Sequence, residues 1–191
     1  MNKDTLEKCV KNGILKCRNI IQDHPKGIMS ESDLEKLLCH CISICIGEDV
    51  EKVPKNGNFS VHTQISHYIK ESDKYTIGER VDILVLDESH LEFCKEHRKD
   101  KYYGISVALE LKYLHIGDSV SLVKKDFEKW DNIKDNSSLF IVVLLDSKTE
   151  KRYLAKKNKL INTIGLKYIN NRRNNCNKLF CYTLRKKAMV P

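Results

Sequence analysis

Two charged residues stand where an interior strand should carry none. In the run ISVALELKYL (105–114), Val107, Leu109 and Leu111 share one face, and Ala108, Glu110 and Lys112 share the other, because strand side chains alternate with period two. Glu110 and Lys112 therefore lie side by side in an otherwise apolar stretch. Taking an acid and a base out of water together is costly, so such a pair reads as a site. A second lone acid, Asp82, interrupts another apolar run, RVDILVL (80–86), on the face of Leu84 and Leu86. If these two strands are hairpin neighbours, Asp82, Glu110 and Lys112 converge. Two carboxylates at close quarters repel each other and favour capture of a hard divalent cation, which oxygen ligands suit. A lysine beside them offsets charge and positions a water, and the cation would serve hydrolysis of a phosphodiester. The alternative is an ion pair between Asp82 and Lys112, with Glu110 facing solvent on a one-sided strand.

The elements that position these residues follow from hydrophobic periodicity. Residues 3–23 place Leu6, Val10, Ile14, Leu15, Cys17 and Ile21 at three- and four-residue steps, which predicts a helix. Gly13 weakens its middle, and HPKG at His24–Gly27 ends it. Ser30 and Asp33 approximate a capping box. They open a second helix with a buried stripe of Leu34, Leu37, Leu38, Cys41, Ile42 and Cys45. Glu31 projects from its inward side near the start, and Glu35 lies closer to the edge of the stripe. Residues 47–58 read as a loop, Phe59–Ile69 as a first strand and Glu71–Glu79 as a turn region. Gln64 belongs to that first strand, at a distance from the site that the pattern does not set. Asp87–Lys101 is a charged connection. After Gly117, DSVSLVKKDFEKWDNIKD predicts a helix with Val120, Val123, Phe127, Trp130 and Ile133 on its apolar side. Leu139–Leu145 is continuously apolar, as befits a central strand covered on both faces. Tyr153–Ile169 is expected to be a basic helix with Gly165 as its candidate break, and Leu179–Leu184 a terminal edge strand. The order predicts one three-layer α/β domain, a central mixed β-sheet flanked by helices.

At this point the chain resembles the PD-(D/E)XK nuclease superfamily, the restriction endonuclease-like fold with an αβββαβ core. The resemblance rests on SESDLEKLL (30–38), RVDILVL (80–86), ALELKYL (108–114) and VKKDFEKW (123–130), and covers about Ser30–Asp146. It implies that Asp82 and Glu110 bind Mg²⁺, or Mn²⁺, with the Leu111 carbonyl adding a ligand. It also implies that Lys112 orients or activates the attacking water and that Glu31 supports the site. The activity implied is metal-dependent DNA endonuclease cleavage, with a homodimer as the assembly by analogy. Val81 stands where the name-giving proline would be. The 27 residues between Asp82 and Glu110 make a long spacing, which the charged 87–101 stretch would absorb as an insertion.

Charge points to the same class of partner. The chain of 191 residues carries +8 overall, unevenly spread. Residues 148–191 hold 13 Lys and Arg against one acid, a net +12, whereas residues 1–147 hold 21 against 25, a net −4. Such asymmetry is the footprint of a polyanion binder; a solvated, solubilising tail is the bland alternative. Arg172, Arg173, Arg185, Lys186 and Lys187 are the tail's best candidates for contacting DNA phosphates. Lys124 and Lys125 join them from the helix after the motif strand, where a solvated helix face competes as an explanation. A catalytically inactive nuclease fold that binds nucleic acid through this basic tail is the alternative function. The eight cysteines have irregular spacing, which suits reduced thiols in a cytoplasm better than a disulfide scaffold. The cluster CHCISIC (39–45) invites a zinc reading, but Cys41 and Cys45 fall on the buried stripe, where cysteine acts as a small hydrophobe. No apolar run is long enough to span a bilayer, and no export signal is expected.

Overall fold

The computed structural model describes residues 2–24, 27–47, 60–71, 74–86, 106–115, 118–119, 121–128, 138–146, 167–168 and 177–185. Helix α1 (Lys3–Asp23) starts where the Asn2 side chain accepts the Thr5 N–H at 2.9 Å, satisfying one of the donors that a helix start leaves open. Leu6, Val10, Ile14, Cys17 and Ile21 form its buried side. Leu15 is not part of it and is 40% exposed; one residue beyond Ile14, it is turned about 100° around the axis. Helix α2 (Glu31–Ile46) is capped by Ser30, whose hydroxyl accepts the Asp33 N–H at 3.1 Å. Asp33 reaches back to the Met29 N–H at 3.1 Å, one residue earlier than in the usual box. Gly47, at φ 89°, supplies the left-handed residue that closes the helix. The two helices touch at Gly13, where a Cβ would fall 2.6 Å from Ile42 Cγ1 and 2.9 Å from Ile42 Cα. The residue that weakens helix propensity is thus what permits the contact.

Six strands follow: β1 (Val61–Glu71), β2 (Lys74–Leu86), β3 (Ser106–Leu114), β4 (Ser138–Asp146), β5 (Lys167–Tyr168) and β6 (Asn177–Arg185), with helix α3 (Ser121–Glu128) between β3 and β4. They form one mixed sheet in the order β1-β2-β3-β4-β6-β5. Among the described strands only β3 and β4 pair in parallel, and α3 lies in the crossover that a parallel pair needs.

Three expectations change here. Lys74–Glu79 is strand, not turn: β1 and β2 stay paired out to Glu71↔Lys74. Its register with β1 carries it as strand beyond the apolar run of RVDILVL. The strand expected at Leu179–Leu184 extends over Asn177–Arg185 and is not the edge, because β5 pairs along its far side. Lys167–Tyr168, expected at the end of a basic helix, is that β5; residues 153–166 lie outside the described ones. So do Phe59, the 87–101 connection, Val120, Trp130 and Ile133.

The sheet separates two apolar layers. On one face Ile83, Val85, Val107, Leu109, Leu111, Phe140, Val142 and Leu144 pack with α1 and α2. On the other, Leu84, Leu86, Ala108, Leu139, Ile141 and Val143 are also buried, as is Val123 of α3. β4 is thus buried on both faces, as its unbroken apolar run predicts. A buried acid, Glu7, ties α1 to the start of β4: Ser138 Oγ donates to Glu7 Oε1, and Lys11 Nζ lies 3.6 Å from its Oε2. Among the described residues no helix is long and apolar enough to cross a membrane.

Candidate functional site

The site lies where β2 and β3 part. Their ladder runs from Leu86↔Ser106 to Ile83↔Leu109, and β3 continues beyond it to Leu114. Two backbone donors on this continuation are met by carboxylates rather than by strand carbonyls. Asp82 Oδ2 accepts the Leu111 N–H at 2.7 Å, and Glu31 Oε2 accepts the Tyr113 N–H at 3.1 Å. Two acids thus stand in for a missing ladder partner, answering the requirement that backbone donors be paired.

This brings together the residues singled out by sequence. Asp82 reaches the peptide nitrogen between Glu110 and Lys112. Glu110 is fully buried, on the second face of β3 as alternation predicts. Lys112 Nζ donates to the Leu111 carbonyl at 2.8 Å and lies 3.8 Å from Glu31 Oε1. Glu31 sits in the first turn of α2, with its side chain 43% exposed against 20% for Lys112. The Tyr113 hydroxyl donates to the Ile28 carbonyl at 3.4 Å, fixing the approach to α2 against β3. The alternative reading expects Lys112 beside Asp82; here Lys112 reaches Glu31 and the Leu111 carbonyl. Glu110 does not face solvent.

The pattern left two participants unplaced. Gln64 pairs by register with the Asp82 position, between Thr63↔Ile83 and Ile65↔Val81. Its Nε2 donates to Glu35 Oε2 at 3.1 Å and to Asp82 Oδ1 at 3.4 Å. Glu31 and Glu35, one helical turn apart, thus reach the site by different routes, the first through β3 and the second through β1. Gln64 also has φ 56°, a left-handed conformation that costs a non-glycine residue about 1–3 kcal/mol and persists only where surrounding contacts enforce it. Nothing in a period-two pattern signals such a residue.

Three of the phosphate-contact candidates, Lys124, Lys125 and Arg185, fall among the described residues. Lys125 is an exposed residue of α3, and Lys124 precedes it in the same helix. Arg185 ends β6 opposite Ser138, whereas Lys112 aligns with Val143. At about 3.3 Å per residue, those five steps put Arg185 roughly 16 Å along the sheet from Lys112. Arg172, Arg173, Lys186 and Lys187 lie outside the described residues.

Three oxygen donors suit a hard cation: the Asp82 and Glu110 carboxylates and the Leu111 carbonyl. Asp82 Oδ2 and Leu111 O each accept a hydrogen bond now, and each retains a further lone pair. The donor set therefore fits Mg²⁺ or Mn²⁺. Among the described residues no group of three or more His, Cys, Asp or Glu side chains is placed to hold a metal ion; the set here is two side chains and a main-chain oxygen.

Cys17 and Cys41 belong to the packing of α1 and α2, whereas Cys9, Cys39 and Cys45 are only partly buried, Cys45 against its expected place on the buried stripe. Cys17 and Cys41 are buried and all five described cysteines are free thiols. The hydrogen bond to Cys41, with burial, pushes the Cys17 thiol far up. Burial, with Glu35 nearby, pushes Cys39 up to about 12.

No protein-family model, curated protein or solved structure matches the chain.

Proposed function

We propose that the chain is a metal-dependent deoxyribonuclease of the restriction endonuclease-like fold, cutting DNA endonucleolytically. The observation that carries this reading is the 2.7 Å hydrogen bond from Leu111 N–H to Asp82 Oδ2. It puts the acid of β2 on the backbone between the acid and the lysine of β3. Asp82, Glu110 and the Leu111 carbonyl would hold Mg²⁺ or Mn²⁺. Such an ion, when bound, supplies charge to stabilise the phosphodiester transition state and acidity to a bound water. Lys112 brings the one ammonium among these groups, anchored beside Glu110 by the Leu111 carbonyl, where it orients a water and holds its proton balance. Glu31 keeps that ammonium in place and fixes the β3 backbone through Tyr113. The burial of Glu110 excludes water from one side of the acid pair, which strengthens every charge interaction within it.

A second reading draws on the same hydrogen bonds. Lys112 and Asp82 already have protein partners, so the cluster is also a competent internal network. A nuclease fold without catalysis, binding nucleic acid through its basic C-terminal region, would be built this way. Incubation with supercoiled plasmid, linear DNA and RNA, each with Mg²⁺, Mn²⁺ or EDTA, separates the two. The nuclease reading expects plasmid nicking or linearisation that EDTA abolishes. Binding without cleavage under either metal would favour the inactive fold.

A further inference from the structure

We propose that Gln64 is a positioning residue for the metal site, acting on Asp82 through its side-chain amide with Glu35 as anchor. The inference rests on the metal-site reading of Asp82 and Glu110 and extends it to a residue outside the motif. Three observations carry it. One amide nitrogen serves two carboxylates, Glu35 Oε2 at 3.1 Å and Asp82 Oδ1 at 3.4 Å. The Leu111 N–H takes the other oxygen of Asp82. The Asp82 carboxylate is therefore gripped at both oxygens, by β3 on one side and β1 on the other, which fixes its plane. Gln64 itself is held at φ 56°.

That backbone conformation has a geometric consequence. Helix α2 packs over the face of Ile83 and Leu109, whereas Asp82 belongs by alternation to the opposite face. The left-handed residue lets a single amide bridge from α2 to Asp82. Groups that orient a metal-binding carboxylate in this way tune its affinity for the ion, and their loss typically weakens binding about 10- to 100-fold.

Manganese titration by calorimetry tests this on the full chain, comparing wild type with Gln64→Gly, Gln64→Asn, Glu35→Ala, Glu35→Ala/Gln64→Gly and Asp82→Asn. Glycine relieves the left-handed backbone while deleting the amide, so Gln64→Gly should keep or raise the thermal midpoint yet weaken Mn²⁺ binding at least tenfold. Asparagine tolerates the same backbone but is one methylene short, and should weaken binding similarly. Should the glycine variant fail to fold, the asparagine variant carries the test. Adding Glu35→Ala to Gln64→Gly should weaken binding no further. If either Gln64 variant folds and binds Mn²⁺ within twofold of wild type while Asp82→Asn does not bind, the Gln64 inference is overturned and the metal site stands. Losses from Glu35→Ala and Gln64→Gly that simply multiply would equally overturn the anchor. Failure of wild type to bind, or binding by Asp82→Asn equal to wild type, removes the metal-site reading and this inference with it.

Discussion

At the scale of residues, Lys112 and Asp82 each make contacts in the cluster that their proposed chemistry must share. The Lys112 ammonium donates to Leu111 O, an oxygen that the proposed metal would share, so lysine and cation compete in charge and in position. Lys112→Met is expected to abolish most cleavage, on the order of 10²-fold or more, while binding Mg²⁺ several-fold more tightly than wild type by calorimetry. Weaker Mg²⁺ binding by that variant would contradict the competition. Asp82 has a structural duty besides, as acceptor for Leu111 N–H. Asp82→Ala strands that donor and should cost about 1–3 kcal/mol of stability, whereas Asp82→Asn keeps the acceptor for Leu111 N–H, at the expense of the Gln64 hydrogen bond, and should lose less. Denaturant melts of the two variants check this. Asp82, Glu110 and Lys112 were legible because charge inside an apolar strand is rare. Gln64 was not, because a left-handed backbone and an amide bridge leave no periodic trace.

At the scale of elements, helix α1 sets propensity against packing. Alanine at position 13 would gain up to about 1 kcal/mol of helix propensity. Its Cβ would lie 2.9 Å from the Ile42 backbone, and such overpacking costs about 1–3 kcal/mol. The clash should win, so Gly13→Ala is expected to lower the melting temperature; a rise would show that α1 and α2 slide apart freely. At the start of α2, hydrogen bonds from the Met29 N–H and from Ser30 hold the exposed Asp33 carboxyl below its usual range. A depressed folded value means stability present above the unfolded pKa of about 3.9 and lost as pH falls through the lower folded one. Asp33→Asn should therefore flatten the acid limb of the stability profile below about pH 4, measured by thermal melts across pH. Strands β2, β3 and β4 were legible from their apolar alternation or runs. The outer half of the β1–β2 hairpin was not, since Glu71–Glu79 reads as a turn region in sequence, whereas Lys74–Glu79 belongs to β2, whose ladder with β1 runs out to Glu71↔Lys74. The inner position of β6 was hidden for a related reason: its cover, β5, is two residues long.

At the scale of the whole molecule, the proposed function assigns the charge division between residues 1–147 and 148–191 to substrate binding. Phosphate contacts release counterions, so affinity for DNA should fall steeply with salt. The triple variant Arg185→Ala/Lys186→Ala/Lys187→Ala should reduce both affinity and the salt slope, by filter binding between 50 and 200 mM salt, roughly the range over which such contacts are decisive. An unchanged slope would assign those residues to a solvated tail. A mixed sheet with helices was foreseeable from the succession of periodic runs, though not the strand at Lys167–Tyr168, and the candidate site from three charges placed on two of those runs. The measurement that most directly tests the central claim is nicking of supercoiled plasmid in Mg²⁺ by wild type and Glu110→Gln, purified side by side. Wild type is predicted to nick or linearise the plasmid and to stop on addition of EDTA, and Glu110→Gln to leave it supercoiled. Equal cleavage by the two proteins, or none by wild type in Mg²⁺ and Mn²⁺ alike, would contradict the account.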